Sequence, residues 1–384
     1  MTARLRVLLD ATSVPPTQGG VARFIGGLLQ GLDELGETID VVAKRADIPA
    51  FAAVAPSHNY IVAPPLTNRR PLRLVWEQLG LPALARRRGA LVIHSPHYTF
   101  PILGAAAHVV TVHDATFFSS PDVHGRVKGI FFRTWIRLAA RMATSLVAVS
   151  QATASDLARF VRIPAAGIQV AHLGVDERVF SPPTADAVAA VRARIGLQPD
   201  APYLAFLGTL EPRKNVPALL AAHATLRQSD PTTPVLVLSG ARGWDERAAE
   251  ILDELSTIPL PQRPVIEAGY LPLELLSAFL GDSAAVVYPS LGEGFGLPVL
   301  EAMASGAAVL TTRRLSIPEV GGDAVAYSEP DAGALATALR ALLDDPDRRA
   351  ELAAAGIERS ALFTWSECAR RYCEAWRSAE STRS

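Results

Sequence analysis

Residues 286–312, reading VVYPSLGEGFGLPVLEAMASGAAVLTT, restrict the possible folds of this chain more than any other stretch. A β-branched run stops at Pro289, a loop carrying Gly292, Gly294 and Gly296 follows, and Pro298 stands where a first helical residue belongs. The pattern predicts strand, glycine loop and helix, with the helix closing at Gly306 and the next strand over 308–311. Such a unit leaves free N–H groups and a helix N-terminus at the carboxyl end of a parallel strand, where open α/β sheets bind ligands. Two carboxylates eight apart add chemistry to it: Glu293 in the loop and Glu301 in the expected first helical turn.

The same plan recurs along the chain. Strands are expected over 7–10, 41–43, 91–93, 109–112 and 146–149, with a proline- and glycine-bearing loop over 12–20 and a helix over 21–32. Beyond Pro182-Pro183, the best linker candidate, the plan restarts with strands over 203–207, 235–238 and 265–268 and helices over 217–228, 273–280 and 332–343. Strands alternating with helices imply doubly wound parallel sheets. At 384 residues the chain has room for two such domains. Thr364 to Glu367 fits a capping box, and Trp365, Cys368, Tyr372 and Trp376 share one face of a terminal helix.

Composition excludes several classes. No run of 18 apolar residues is present, which argues against a spanning helix, and residues 1–9 lack a cleavage-like site, so a cytoplasmic protein is expected. Cys368 and Cys373 have neither zinc nor redox spacing and read as idle thiols. Residues 1–196 hold 21 Lys+Arg against 13 Asp+Glu, and the remainder 16 against 25. A basic first half suits an anionic membrane surface or a phosphorylated substrate; nucleic acid ranks lowest because no binding motif accompanies the charge.

An ordered set of motifs now becomes specific. Glu293-Gly294-Phe295-Gly296-Leu297-Pro298 through Glu301 resembles the E-x7-E signature of glycosyltransferase family 4, retaining nucleotide-sugar-dependent enzymes of GT-B fold. Gly19-Gly20-Val21, Val112-His113-Asp114, Val149-Ser150, His172 to Asp176, Gly208-Thr209 with Arg213-Lys214-Asn215, and Pro318 to Gly322 stand where that family's motifs stand. The resemblance implies two Rossmann-like, doubly wound parallel-sheet domains facing a cleft. The acceptor-side domain is expected over 1–181 and the donor domain over 182–364, with the helix 365–384 packing back on the first.

By the resemblance, Glu301 takes the ribose hydroxyls and Glu293 the transferred sugar; the competing readings are a helix-dipole partner and a solvated loop acid. Arg213 and Lys214 would clamp a diphosphate whose charge grows as the sugar bond breaks, helped by the backbone of Phe295, Gly296 and Leu297. Gly208 and Thr209 lead into that pair, and Gly19 and Gly20 bring the first domain's backbone to the same diphosphate once the domains close. His113 would lie beside the sugar, with Asp114 orienting it; a structural histidine is the competing reading.

Gly240 and Trp244 resemble a mannosyltransferase segment near the nucleotide base and suggest GDP-mannose, with Tyr270 on the same side; a Trp packed on its own domain competes. Asp345-Pro346-Asp347 reads as a helix cap rather than a metal motif, so neither metal nor cofactor is expected. Residues 124–142 interleave Arg126, Lys128, Arg133, Arg137 and Arg141 with aromatics, and Arg69-Arg70, Arg73 and Arg86 to Arg88 cluster nearby. Peripheral contact with the inner face of an anionic membrane therefore stands beside a phosphate-bearing acceptor and plain core packing. The expectation is a retaining transferase moving a hexose, mannose from GDP-mannose first, to a saccharide or lipid-linked acceptor. UDP-sugar transfer, a nucleotide-sugar epimerase and a silent binding scaffold are the alternatives.

Overall fold

A computed structural model describes residues 5–15, 19–119, 125–164, 167–259 and 262–382. Pro16 of the first glycine loop and His124 of the basic stretch lie outside the described residues. The chain forms two compact units, one of Met1–Gly174 with Phe363–Ser384 and the other of Val175–Leu362.

The first unit is built on a seven-stranded sheet in the order β3-β2-β1-β4-β5-β6-β7. Its strands are β1 (Val7–Asp10), β2 (Asp40–Ala43), β3 (Asn59–Val62), β4 (Val92–Ser95), β5 (Ala107–Val112), β6 (Ser145–Ala148) and β7 (Ile168–Val170). All neighbours run parallel, for example Leu8 against Asp40 on one side and Ile93 on the other. Helices Gly20–Glu34, Arg70–Arg88, Arg126–Met142 and Gln151–Val161 supply crossovers. The central strands are buried throughout, as short apolar runs covered on both faces must be.

Sequence periodicity missed β3, β7 and the helix Arg70–Arg88. Pro82 inside that helix and the arginines at its two ends hide the apolar repeat.

The terminal helix Trp365–Ser381 belongs to the first unit although it follows the second in sequence. Thr364 Oγ1 accepts from Glu367 N at 3.1 Å, the cap the spacing predicted. Trp365, Cys368, Tyr372 and Trp376 are all buried, and the Tyr372 hydroxyl lies 2.9 Å from Thr111 Oγ1 on β5. Close docking on the helix Gly20–Glu34 depends on two glycines. A Cβ on Gly31 would stand 2.1 Å from the Trp365 carbonyl oxygen, and one on Gly27 would enter the Trp365 ring. Burial pushes both cysteine thiols up, so they are inert packing groups.

Thr111 also meets His94 Nε2, at 2.9 Å, in the dry centre of the sheet. Burial, with a smaller push from His113, holds His94 down at about 3. The unfolded chain takes up that proton near pH 6.5, the folded chain only near 3, so stability present above 6.5 is lost as pH falls through this window. His113 and His223 are held low by burial in the same direction. The unfolding free energy is therefore expected to drop between pH 7 and pH 5, by up to about 1.4 kcal/mol per pH unit for each buried histidine, and the denaturant midpoint to fall with it. His94→Gln should flatten the profile; an unchanged midpoint in the wild type would rule the effect out.

The second unit carries a six-stranded parallel sheet in the order β10-β9-β8-β11-β12-β13. Its strands are β8 (Tyr203–Leu207), β9 (Val235–Ser239), β10 (Val265–Gly269), β11 (Ala285–Tyr288), β12 (Val309–Thr312) and β13 (Ala326–Ser328). The domain boundary differs from the expected Ser181/Pro182. Ser181 N donates to Ser277 Oγ at 3.2 Å, so the proline pair is already held by the second unit and the passage falls at Gly174–Val175.

Candidate active site

Strand order decides where loops from distant parts of the second unit meet. From β8 the chain winds outward through β9 and β10, then returns to lay β11 on the other side of β8. The crevice outside the carboxyl ends of β8 and β11 is thus a topological switch point, the usual ligand position in an open parallel sheet. The loop after β8 carries Gly208, Thr209, Arg213 and Lys214; the loop after β11 carries Glu293 through Gly296.

These loops are joined by charge. Lys214 Nζ donates to Glu293 Oε1 at 2.8 Å, and Arg213, 80 residues from Glu293 in sequence, donates to its Oε2. Arg213 Nη1 also reaches the Gly292 carbonyl at 2.9 Å, and its Nη2 reaches Glu211 Oε1 at 2.6 Å. Ser290 Oγ and the Tyr288 hydroxyl donate to the same Glu293 oxygen as Lys214, at 2.6 and 3.0 Å. Burial alone would raise the Glu293 carboxyl, but Arg213 and Lys214 outweigh it and hold it at about 2. Burial, then Arg213, pushes Lys214 down, and Glu293 opposes both. Tyr288, buried beside Glu293, is pushed well up and stays a neutral donor.

These contacts exclude the competing reading of Glu293 as a solvated loop acid. Cations and carboxylate form one ion-paired group, because a carboxylate this deeply buried needs compensating charge. Two members, Tyr288 and Ser290, were given no role from the sequence, and Asn215, named there only as part of a motif, proves to hold the surrounding loops. Asn215 sits at φ 57°, and its amide donates to the carbonyls of Pro289 and Pro330 at 3.3 and 2.7 Å. A left-handed asparagine next to Arg213-Lys214 was the signal that could have revealed it.

The glycine loop ends as its sequence predicts. Gly296, at φ 107°, caps the helix Leu297–Ala304, and Gly306, at φ 77°, ends it. Ser316 Oγ lies 2.8 Å from the carbonyl oxygens of both Glu293 and Phe295, pinning the loop from the next connection. Gly294 and Phe295 bridge Glu293 to that cap. Glu301 is buried but lies beyond the first turn, which holds no acid. That placement corrects the first-turn expectation and removes the helix-dipole reading.

The remaining expected residues follow neighbouring strands. Gly240 comes after β9, and a Cβ there would stand 2.1 Å from the Gly208 carbonyl oxygen, so backbone packing alone accounts for this glycine. Thr209 is exposed. Trp244 is 49% and Tyr270 59% exposed, so neither ring is consumed by its own core. Carboxyl ends of the four adjacent strands β10, β9, β8 and β11 therefore present, in order, Tyr270, Trp244, the basic pair and the glycine loop.

In the first unit the switch point falls between β1 and β4. There Arg73 Nη1 donates to Glu77 Oε2 at 2.7 Å and lies 4.0 Å from Asp10 Oδ2, while its Nη2 reaches Thr99 Oγ1 at 3.2 Å. Burial pushes the Glu77 carboxyl up to about 7 despite Arg73. Of this group, sequence reading singled out only Arg73.

His113, just past β5, has Nε2 at 2.7 Å from the Pro96 carbonyl, and its ring packs edge-on against Phe24 at 4.9 Å. Nε2 donates there, leaving Nδ1 as the acceptor. Asp114 was expected to orient His113. Its Oδ1 instead accepts from Thr116 N and Oγ1 at 3.0 and 2.6 Å, and the Pro96 carbonyl orients the imidazole. Gly19 caps the helix that starts at Gly20, and a Cβ on Gly20 would meet nothing within 4 Å.

Asp345 Oδ1 accepts from Arg348 N at 2.8 Å, which is the helix-cap role. Among the described residues no three His, Cys, Asp or Glu side chains are grouped to hold a metal ion, and no helix is long and apolar enough to cross a membrane.

Residues 188–359 match the family profile described as Glycosyl transferases group 1, and residues 18–179 match Glycosyltransferase Family 4. The O-antigen chain mannosyltransferase B of Escherichia coli is 29% identical, with 74% of each chain covered. The alpha-maltose-1-phosphate synthase of Mycolicibacterium smegmatis is 26% identical over 89% of this chain and 93% of its own. Among solved structures, sucrose-phosphate synthase from Thermosynechococcus elongatus shares the fold at a TM-score of 0.76 and 23% identity, covering 97% of this chain and 98% of its own. With both units matched, and with the glycine loop and the basic pair joined at the switch point of the second sheet, this chain belongs to glycosyltransferase family 4 as a nucleotide-sugar-dependent glycosyltransferase of GT-B fold.

Proposed function

We propose that this protein transfers mannose from GDP-mannose, with retention and without a metal ion, to a saccharide or lipid-linked acceptor in glycan synthesis. The observation that carries the reading is the convergence of Arg213 and Lys214 on Glu293 at the β8/β11 switch point. A diphosphate arriving there competes with Glu293 for two cations already in place, and charge that grows on the leaving group strengthens its side of the competition. Glu293, relieved of part of its pairing, accepts from sugar hydroxyls, while Glu301 takes the ribose and the backbone of Gly294, Phe295, Gly296 and Leu297 approaches the phosphates. Gly208 and Thr209 border that approach, and the exposed rings of Trp244 and Tyr270 offer faces to the base. Two cations in the donor unit can balance the diphosphate, which is why no metal enters the proposal.

In the first unit, Gly19 and Gly20 leave the backbone open to the donor, and His113 offers Nδ1 to a sugar hydroxyl. The crevice of Asp10, Arg73, Glu77 and Thr99 is the acceptor side. No side chain stands out as a covalent nucleophile, so departure and attack on one face of the sugar account for retention. The mannosyltransferase relative supports mannose; the maltose-phosphate synthase relative supports a glucosyl donor as the second reading.

Thermal unfolding with GDP-mannose, UDP-glucose, ADP-glucose and dTDP-glucose in turn tests the donor. GDP-mannose at a hundred times its Kd should stabilise the protein by about 2.7 kcal/mol. A shift given only by a non-guanine donor would overturn the GDP-mannose reading, and a changed sugar nucleotide released without acceptor would show an epimerase.

A further inference from the structure

The helix Arg126–Met142, whose basic and aromatic composition drew attention in the sequence, turns its aromatics inward. Phe132 and Trp135 pack against the core cluster around Tyr98, Phe117 and Ile136, and Phe131 lies against both Phe132 and Trp135. That helix still exposes Val127 and Ile130, 84% and 59% open, but the longer apolar stripe of the first unit lies on the helix Arg70–Arg88.

That helix has two functional faces. Arg73 and Glu77 point into the β1/β4 crevice. Leu72, Val75 and Leu79, at i, i+3 and i+7, form one outward stripe and are 43%, 56% and 68% exposed. The loop after β4 extends it: Ile102 N donates to Gln78 Oε1 at 2.9 Å, a Cβ on Gly104 would touch Pro82 at 3.4 Å, and between them Leu103 is 70% exposed.

Charge around the stripe has one sign. Arg69 and Arg70 stand at its start and Arg86 and Arg87 at its end, all exposed, and Arg86 falls seven residues beyond Leu79 on the same face. Between Pro64 and Ala106 the sole carboxylate side chain is Glu77, which is buried against Arg73. An apolar stripe between arginine clusters, in a segment whose one acid is buried and with Asp40 engaged by Arg88, is complementary to a layer that is apolar inside and negative at its surface.

We propose that the outer face of the helix Arg70–Arg88, with Ile102 and Leu103, docks this protein on an anionic phospholipid bilayer. Leu72, Val75, Leu79 and Leu103 enter the headgroup boundary, and Arg69, Arg70, Arg86 and Arg87 meet the lipid phosphates. One helix then holds the membrane on its outer face and the crevice group on its inner face, setting the acceptor side of the first unit at the lipid surface.

The test is co-sedimentation of the full chain at physiological salt with vesicles of phosphatidylcholine and phosphatidylglycerol in a three-to-one ratio, and with phosphatidylcholine alone. The wild type should bind the anionic vesicles and release at high salt. The variant Leu72→Ser/Val75→Ser/Leu79→Ser should lose at least about tenfold in partitioning, and Arg86→Gln/Arg87→Gln on the order of tenfold. Both should keep the donor-induced thermal shift, which separates failure of docking from failure of the donor reading. The proposal is overturned if the wild type ignores anionic vesicles or if the serine variant binds them as the wild type does. Light scattering that shows a dimer dissolved by the serine substitutions would likewise overturn it, assigning the stripe to a second copy of this chain. Loss of binding in Val127→Ser/Ile130→Ser with the leucine stripe intact would move the contact to the other helix and overturn it as well.

Discussion

Replacing Lys214 by methionine is expected to damage both stability and turnover, and a second substitution should separate the two. The Nζ of Lys214 is buried with Glu293 and the Tyr288 hydroxyl, so Lys214→Met leaves a buried carboxylate with only Arg213 as counter-charge. Breaking a buried pair from one side costs about 3 kcal/mol. Glu293→Gln in the same molecule removes the orphaned charge, its amide oxygen accepting from Arg213 and its NH2 facing the Ser290 hydroxyl, which can turn to accept, so much of that loss should return in denaturant unfolding. Turnover should not return: loss of a preorganised donor to developing charge lowers kcat by roughly a hundredfold or more, and the double variant still lacks it. Recovery of stability together with near-normal transfer would show that Lys214 is a structural partner of Glu293 and no part of a phosphate clamp. Arg213→Ala, at a partly open position, should lose turnover at smaller cost to the fold.

The second large effect is steric. Gly31→Ala is expected to destabilise the first unit by about 2 kcal/mol, even though alanine favours a helix over glycine by about 1 kcal/mol. Its methyl group would stand 2.1 Å from the Trp365 carbonyl oxygen, and neither backbone can yield without lifting the terminal helix and its buried Tyr372 and Trp376. Thermal unfolding monitored by tryptophan fluorescence should show the loss. Gly20→Ala, in the same helix with open space around it, should be neutral or slightly stabilising, and by the proposed function it should slow transfer. If Gly31→Ala unfolds with the wild type, close docking of Trp365 does not hold the terminal helix. If Gly20→Ala transfers normally, the open glycine is not an approach to the donor.

These two residues illustrate what could and could not be read from sequence. The alternation of strand, glycine loop and helix was legible because its periodicities are local, and Gly296, Gly306 and the Thr364 cap behave as their neighbours dictate. The helix Arg70–Arg88 was not legible, since its stripe is interrupted by Pro82 and its ends are arginine. Trp244 and Tyr270 could be named from position, but their half-open rings depend on what the rest of the unit leaves uncovered. The aromatics at 131–135 showed the reverse: a pattern that suits a bilayer is used by the unit's own core.

By itself the sequence determined the family, the two parallel-sheet units and the loops that carry the chemistry, because strand and helix periods, glycine conformations and motif spacing act within one turn or one loop. Only the tertiary structure decided that Arg213 and Lys214 grip Glu293, that Arg73 and Glu77 share the other crevice, and that Gly27 and Gly31 are what let the last helix dock so closely. The reason is physical: parallel strands are ordered by their crossovers, and where that order reverses, loops far apart in sequence are forced against one another.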